Sequence, residues 1–418
     1  MSIRTKTALL IFAHAIIGTT GCTFVSNRCP EGFECTPIDN NKGGSAGKDG
    51  GKSGDGGSGT NISGSGGSGT NISGDGGTGN NVSGNGSGGG SVTPGHPDGE
   101  WTIATGDLAG TKSGCGTISY VVAKPGEDLL LAGVVARGVF SSTDHGKSWS
   151  QLGQGAGSAP FTPGLTQILF DPEDSKVWWL SGLRYGSPYR SDDNGDTFVA
   201  LANFPQNDGI AVDFSDPERK TILVGGHEQV QEVEYSADGG KTWKNIGAAL
   251  PADSGFSSYP YVVDASTFLV GTGGSQVYRT TDKGAHWAKV VDGGGGAQVL
   301  RHSDGSLYWA ARDADGLVRS VDDGETWDVV TGPGIVYGMK PIELPDSRIA
   351  MRGPMGMLVT DDQGAHWQQV TPPVPNDYSW YITTYNEVEK AFYSTHFACD
   401  TTMVNEDALR RFAWDYTK

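Results

Sequence analysis

Residues 236–243 read Ser-Ala-Asp-Gly-Gly-Lys-Thr-Trp, and five other octets of the chain follow the same pattern. Each octet begins with Ser or Thr, has Asp at its third and Gly at its fifth position, and ends on an aromatic residue. Because an Asp side chain accepts backbone N–H groups and Gly tolerates a positive φ, the octet predicts a tight turn with the aromatic ring packed beneath it. The six predicted structural aspartates are Asp144, Asp193, Asp238, Asp282, Asp322 and Asp362.

The octets recur at nearly even intervals. Their aspartates are 49, 45, 44, 40 and 40 residues apart, and strand-like runs such as residues 177–180 and 221–224 lie between them. Repeats of about 40–50 residues with about four strands each are typical of β-propellers. We therefore predict an all-β fold for residues 100–418, with seven blades of four antiparallel strands. Six blades carry octets, and the seventh is composite: residues 101–105 supply its outer strand and thereby cover both terminal edges.

The octets resemble the Asp box, also called the BNR repeat. It occurs in sialidases, in endo-glucanases that cleave xyloglucan, in sorting receptors and in photosystem assembly factors, so the resemblance leaves the chemistry open. It implies Asp-box turns on one face of the propeller and ligand sites on the other. The Arg-Ile-Pro motif of sialidases is not seen, and residues 134–137 read Val-Val-Ala-Arg where the xyloglucan-cleaving family has a catalytic Asp.

The N-terminus has the pattern of an export signal. Arg4 and Lys6 precede an apolar run over residues 8–17, which is about half the length that a bilayer crossing needs. Residues 19–22, Thr-Thr-Gly-Cys, resemble a bacterial lipobox, which implies that residues 1–21 are removed and that Cys22 carries a lipid. Under this interpretation the protein is an outer-membrane or surface lipoprotein, held to the membrane by its N-terminal lipid alone. The alternative is a plain secretory signal and a secreted protein.

The remaining cysteines fit an oxidising compartment. Cys29 and Cys35 lie in a segment of residues 22–42 and bracket a loop that a disulfide could close, whereas a metal site there is disfavoured because no His is near. Cys115 and Cys399 lie near opposite ends of the predicted propeller. A disulfide between them would join adjacent blades across the ring closure; the alternative is two buried thiols.

A glycine-rich segment separates the N-terminus from the propeller. Residues 43–99 contain 24 glycines and a ten-residue repeat, and such a composition buries too little apolar surface to fold. We predict a disordered linker of roughly 40 Å root-mean-square length. The whole chain has a net charge of −18, which argues against a nucleic-acid partner.

Candidate ligand residues follow the second strand of several blades. An arginine cluster at the channel mouth would suit planar anions such as the carboxylate or sulfate of an acidic sugar; the alternative is that these arginines pair with neighbouring aspartates. Aromatic residues near the inner strands (Tyr120, Tyr261, Tyr337 and Trp380) either stack on sugars or belong to the core. The predicted ligand-binding residues are Arg137, Arg184, Arg312, Arg352 and His396.

Two classes of function remain open. A glycoside hydrolase needs two carboxylates, for which Glu228 and Asp313 are the candidates. A uronate lyase would use His227 and Tyr185, together with Arg184 and His396. Because neither enzyme motif of the related families is present, we favour a monomeric propeller that binds a glycan or a partner protein without turnover. We expect no cofactor and no metal.

Overall fold

The computed structural model describes residues 90–95, 97–114, 117–183, 188–204, 206–256, 259–273, 275–311, 316–331, 336, 339–375, 382–396 and 401–418. They fall within one compact unit, residues 79–418. Cys22, Cys29, Cys35, Cys115 and Cys399 all lie outside the described residues, so the lipid and both disulfides stay predictions. None of the described helices has the length and apolarity needed to cross a membrane.

The described residues form seven sheets arranged as the blades of a propeller, and the predicted fold is confirmed. Blade 1 contains β3 (Ile118–Ala123), β4 (Leu130–Val134), β5 (Gly138–Ser142) and β6 (Ser150–Gln151). Blade 2 contains β7 (Gly164–Phe170), β8 (Trp178–Leu183), β9 (Tyr189–Ser191) and β10 (Val199–Ala200). Blade 3 contains β11 (Asn207–Val212), β12 (Ile222–Gly226), β13 (Val233–Ser236) and β14 (Lys244–Asn245).

The other blades repeat this antiparallel order. Blade 4 contains β15 (Tyr259–Val262), β16 (Phe268–Thr272), β17 (Gln276–Thr280) and β18 (Ala288–Asp292). Blade 5 contains β19 (Leu300–Arg301), β20 (Leu307–Ala310), β21 (Leu317–Ser320) and β22 (Asp328–Thr331). Blade 6 contains β23 (Ile342–Glu343), β24 (Ile349–Gly353), β25 (Gly356–Thr360) and β26 (His366–Gln369). Short 3-10 turns cover Gly106–Leu108 and Gly247–Ala249.

Blade 7 is composite, as predicted. Its inner three strands are β27 (Thr383–Asn386), β28 (Ala391–Thr395) and β29 (Leu409–Ala413), and the N-terminal β2 (Thr102–Ile103) pairs antiparallel with β29 as the outer strand. The neighbouring Trp101 is buried at 6% exposure and donates its indole N–H to the Pro372 carbonyl at 3.0 Å. The ring is thus closed by backbone pairing between the two ends of the propeller.

The predicted linker over residues 43–99 ends earlier than the sequence indicates. Within that range, β1 (Ser91–Thr93) pairs in parallel with β26 and makes blade 6 five-stranded. Ser-Val-Thr suits a strand, and Val92 packs against the cluster between blades 5 and 6. The Ser91 N–H bonds the carbonyl of Ala365, within the blade 6 Asp-box turn, so β1 starts at the Asp-box face and runs towards the opposite face.

The Asp-box turns have the predicted hydrogen bonds. In blade 1, Asp144 Oδ1 accepts the Ser148 N–H at 2.9 Å, Oδ2 accepts the Ser148 hydroxyl at 2.6 Å, and Ser142 Oγ accepts the Gly146 N–H at 3.0 Å. The bonds that Asp144 accepts, led by the one from the Ser148 hydroxyl, lower its pKa to about 2. Gly146 has φ +81°, and the residue before it, His145, is also left-handed at +65°. The octets are therefore structural turns.

The apolar core is divided among the junctions between blades. Seven clusters of buried residues each join two neighbouring blades, including the junction of blades 7 and 1, where Tyr393 packs with Ile118. Because each blade buries its faces only against its neighbours, an open ring would expose two apolar faces at once.

Candidate functional site

The strand order separates the connections of the propeller into two faces. The turn from first to second strand and the Asp box from third to fourth strand share one face. The hairpin from second to third strand and the link to the next blade share the other. The candidate residues predicted after each second strand therefore belong to the face opposite the Asp boxes, and the structure describes some of them.

In blade 3 this face brings a histidine between two carboxylates. His227 follows β12, and its Nδ1 lies 2.9 Å from Oδ1 of Asp208 in the innermost strand β11. Its Nε2 lies 3.9 Å from Oε1 of Glu228. The side chains of Asp208, His227 and Glu228 are 7%, 21% and 55% exposed, so the group extends from the interior to solvent. We call these three residues the blade-3 site.

Local backbone irregularities create this arrangement. The pairing of β11 with β12 shifts between Asn207 and Gly209, which leaves Asp208 at a bulge. In the hairpin that follows β12, Glu228 and Gln231 are both left-handed, with φ +52° and +59°. Left-handed conformations of non-glycine residues are uncommon and concentrate at functional sites. Sequence reasoning selected His227 and Glu228 but missed Asp208; a polar Asn-Asp pair at the start of an inner strand was the available signal.

Side chains reach across the centre of the ring. Gln298, on the link into blade 5, donates through Nε2 to the Thr166 carbonyl of blade 2 at 3.2 Å. Tyr120 of blade 1 contacts Gln298 and the backbone of Ile168, and burial raises its pKa. Tyr120 is 4% exposed and belongs to the cluster between blades 1 and 2, so the core interpretation applies to it. The contact of Gln298 with Thr166 thus joins blades 5 and 2 across the ring.

Two other residues near the inner strands have pKa values shifted by desolvation. Lys340, just before the inner strand of blade 6, keeps an exposed surface, yet the surrounding protein lowers its pKa by desolvation. Tyr261, on the inner strand of blade 4, is half-buried and contacts Arg301; burial raises its pKa.

The described members of the predicted ligand set have different environments. Arg137 is exposed on the turn between β4 and β5, whereas Arg352 in β24 is 2% exposed. His396 is partly buried, and its carbonyl accepts the Thr117 hydroxyl at 3.2 Å. Convergence of the arginines stays a prediction, as does the pair of Glu228 with Asp313. The predicted residues outside the described part of the chain are Tyr185, Arg184, Arg312, Asp313, Tyr337 and Trp380.

A possible metal-ligand group lies on the Asp-box face, at the seam of blades 7 and 1. Among the described residues it consists of Asp128, His145 and Glu389. Arg411 and Tyr393 donate to Glu389, and Asn386 donates to Asp128 at 3.0 Å. The group thus forms hydrogen bonds across the ring closure, and Arg411 forms an ion pair with Glu389.

A second pair of carboxylates adjoins the blade-3 site. Glu232 ends the hairpin that holds His227, and Glu234 is in β13. Burial, followed by repulsion from Glu232, raises the pKa of Glu234 to about 7. Since the folded state then holds a proton that the unfolded chain releases near pH 4.5, this group lowers the stability progressively as the pH rises from about 4.5 to about 7.

We predict that Glu234→Gln stabilises the protein at pH 8 and leaves it unchanged at pH 4. The gain at pH 8 should be on the order of 1–2 kcal/mol, after allowance for solvent screening of this partly exposed group. Urea unfolding at both pH values measures it, with the exposed Glu325→Gln as the matched control. Equal stabilities of Glu234→Gln and the wild type at pH 8 would contradict the prediction.

The fold and the six turns define the class: the protein is a seven-bladed β-propeller of the Asp-box, or BNR-repeat, type. Residues 234–245 match the family model of the BNR/Asp-box repeat.

The chain is also similar to several known proteins. Over 259 residues the chain is 26% identical to a probable oligoxyloglucan-reducing end-specific xyloglucanase of Neosartorya fischeri, which covers 53% of this chain and 31% of the relative. The chain thus spans about a third of that protein. The GH74 xyloglucanase from Xanthomonas campestris is 16% identical with a TM-score of 0.46, covering 74% of this chain and 55% of its own. The extracellular domain of a putative hybrid two-component system from B. thetaiotaomicron is 12% identical with a TM-score of 0.49, covering 71% and 40%.

Proposed function

We propose that this protein is an exported propeller that binds a glycan, without turnover, at the blade-3 site. The observation that carries the proposal is the buried Asp208 carboxylate, which lies 2.9 Å from the ring of His227 at a left-handed hairpin beside the exposed Glu228. A small number of convergent polar groups that fix the orientation of a ligand is typical of ligand sites.

The chemistry of the described groups favours a neutral, hydroxyl-rich glycan. Glu228 and Asp208 are hydrogen-bond acceptors, and sugar hydroxyls are donors that suit them. Two carboxylates in one site disfavour a uronate or a sulfated sugar, because like charges repel at short range. This modifies the expectation of an acidic sugar, which rested on the arginine cluster. Xyloglucan fragments are a suitable first ligand class, because the curated relative is a probable xyloglucanase.

The way the chain enters the propeller supports display of this face. β1 begins at the Asp-box face, so the described part of the chain starts on the side of the propeller opposite the blade-3 site. A chain anchored through lipid at Cys22, or a secreted chain, would leave the site accessible to external glycans. We propose the anchored form.

We predict that His227→Ala weakens binding of a xyloglucan oligosaccharide by at least about tenfold, because the ring supplies a hydrogen bond at the centre of the site. Isothermal titration calorimetry on the full-length protein measures the affinity, and His286→Ala, an exposed histidine of an Asp box, is the matched control.

Three results would decide between the functions. Binding of the neutral glycan with no products on mass analysis supports the proposal. New reducing ends or unsaturated products would instead establish a glycan-active enzyme, since an imidazole between carboxylates is able to transfer protons. Preferential binding of polygalacturonate, or no binding of any glycan, would contradict the proposal and favour an acidic ligand or a protein partner respectively.

A further inference from the structure

We propose that Asp208 is the positioning residue of the blade-3 site, which holds the His227 proton on Nδ1 so that Nε2 accepts a hydrogen bond from a sugar hydroxyl. This inference rests on the proposed glycan function and specifies the donor chemistry of the ligand. The sequence did not single out Asp208.

The geometry sets the tautomer of the ring. An ionised carboxylate only accepts hydrogen bonds, so the 2.9 Å contact between Asp208 Oδ1 and His227 Nδ1 requires a proton on Nδ1. In the neutral ring Nε2 is then an acceptor. Carboxylate partners fix ring orientation and tautomer in this way at many histidine sites.

The position of Asp208 in β11 is rigid. Asp208 is 5% exposed, and its neighbour Asn207 is 1% exposed. Thr166 of blade 2 donates to the Asn207 carbonyl at 3.1 Å, which ties this strand end to the adjacent blade. A side chain held this firmly in the innermost strand orients the ring better than a group on the hairpin itself.

The second carboxylate oxygen indicates that Asp208 serves the site. Oδ2 of Asp208 is buried and has no hydrogen-bond partner among the described residues. Buried polar atoms are normally satisfied, and an under-satisfied carboxylate costs stability. If Asp208 served packing alone, an apolar residue in its place would make the protein more stable. A role in orienting the His227 ring through its charge gives the carboxylate a functional reason to be there.

Glu228 gives the site a pH dependence. Among the contacts that the described residues make with the ring are those of Asp208 from β11 and Glu228 from the hairpin, whose Oε1 is 3.9 Å from Nε2. When the ring gains its second proton, Nε2 becomes a donor towards Glu228 and no longer accepts from a sugar hydroxyl. Glycan affinity should therefore fall as the pH drops through the titration of His227.

The experiment measures this titration by NMR in the full-length protein with isotope-labelled histidine. The chain has 8 histidines, and His227→Gln identifies the signal by its loss. Asp208→Asn keeps the shape but removes the charge, so we expect the His227 midpoint to move down by about one pH unit. Glu228→Gln should move it less, because that carboxylate is half-exposed and screened by water. Asp292→Asn, an exposed site on the outer strand of blade 4, should leave it unchanged.

A second experiment measures the affinity for a xyloglucan oligosaccharide by calorimetry between pH 5 and 8. The pH at which affinity is half-lost should follow the NMR midpoint in each variant, and His227→Gln should remove the pH dependence. An unchanged NMR midpoint in a folded Asp208→Asn protein, checked by its thermal melt, overturns the positioning role. A shifted midpoint with no glycan binding overturns the proposed function while the coupling of Asp208 to His227 stands.

Discussion

Replacing Arg219 by methionine should lower the free energy of unfolding by about 3 kcal/mol, because the change leaves a buried carboxylate without its counter-charge. Arg219 donates through Nε and Nη2 to the two oxygens of Asp171 at 2.8 and 2.9 Å, and both side chains are 7% exposed. The hydrogen bonds from Arg219 lower the pKa of Asp171 and counteract the desolvation of that carboxyl. The pair joins the Asp-box face of blade 3 to blade 2, so its loss weakens a blade junction.

Urea unfolding at pH 7 measures this effect. Lys220→Met removes the adjacent surface ion pair with Glu218 and should have a much smaller effect, because exposed pairs contribute little. The contribution of Arg219 depends on an ionised Asp171, whose folded pKa is depressed. It is therefore present in full above the ordinary Asp pKa of about 4 and is lost as the pH falls further. An Arg219→Met protein as stable as Lys220→Met would refute the assignment.

Trp101→Ala should destabilise the protein by about 3–5 kcal/mol, the range for truncating a buried aromatic residue. The indole packs against Phe412 at a centroid distance of 5.4 Å and donates to the Pro372 carbonyl of blade 6. It also precedes β2, which supplies the outer strand of blade 7. We expect a lower melting temperature and faster cleavage near residue 101 in limited proteolysis.

Thr102→Ala is the control for Trp101→Ala. Thr102, the first residue of β2, is exposed, and its hydroxyl donates to the Arg411 carbonyl at 3.2 Å. This change should shift the melting temperature only slightly, because the backbone pairing of β2 with β29 remains. A Trp101→Ala protein with the melting temperature of the wild type would contradict the closure of the ring by the N-terminal strand. The assignment of the blade-3 site to the face opposite the Asp boxes would then lose its support.

Most of the fold was predictable because its determinants are local. Each Asp-box octet contains both the acceptor and the donors of its own turn, as the contacts of Asp144 with Ser148 show. The spacing of the octets then sets the blade repeat. The composite blade was predictable for a related reason. The N-terminal end of the propeller has one strand too many and the last blade has one too few, and pairing the two covers both exposed strand edges.

The boundary at β1 was not predictable in the same way. Ser91–Thr93 follows a long glycine-rich stretch, and its composition differs little from that stretch except at Val92. Its strand conformation depends on the free outer edge of blade 6, which lies more than 270 residues later in the chain, as the contact of Gly95 with Gln369 illustrates. No local pattern carries that information.

The sequence by itself determined the all-β class, the number of blades, the six turns and the pairing of the chain ends, since these depend on short motifs and on their periodicity. Only the tertiary structure decided that Asp208 meets His227, that Gln298 crosses the ring to Thr166, and that Arg137 is exposed while Arg352 is buried. Those facts depend on contacts between strands and blades far apart in the chain, where small shifts such as the bulge at Asp208 decide which side chains face one another.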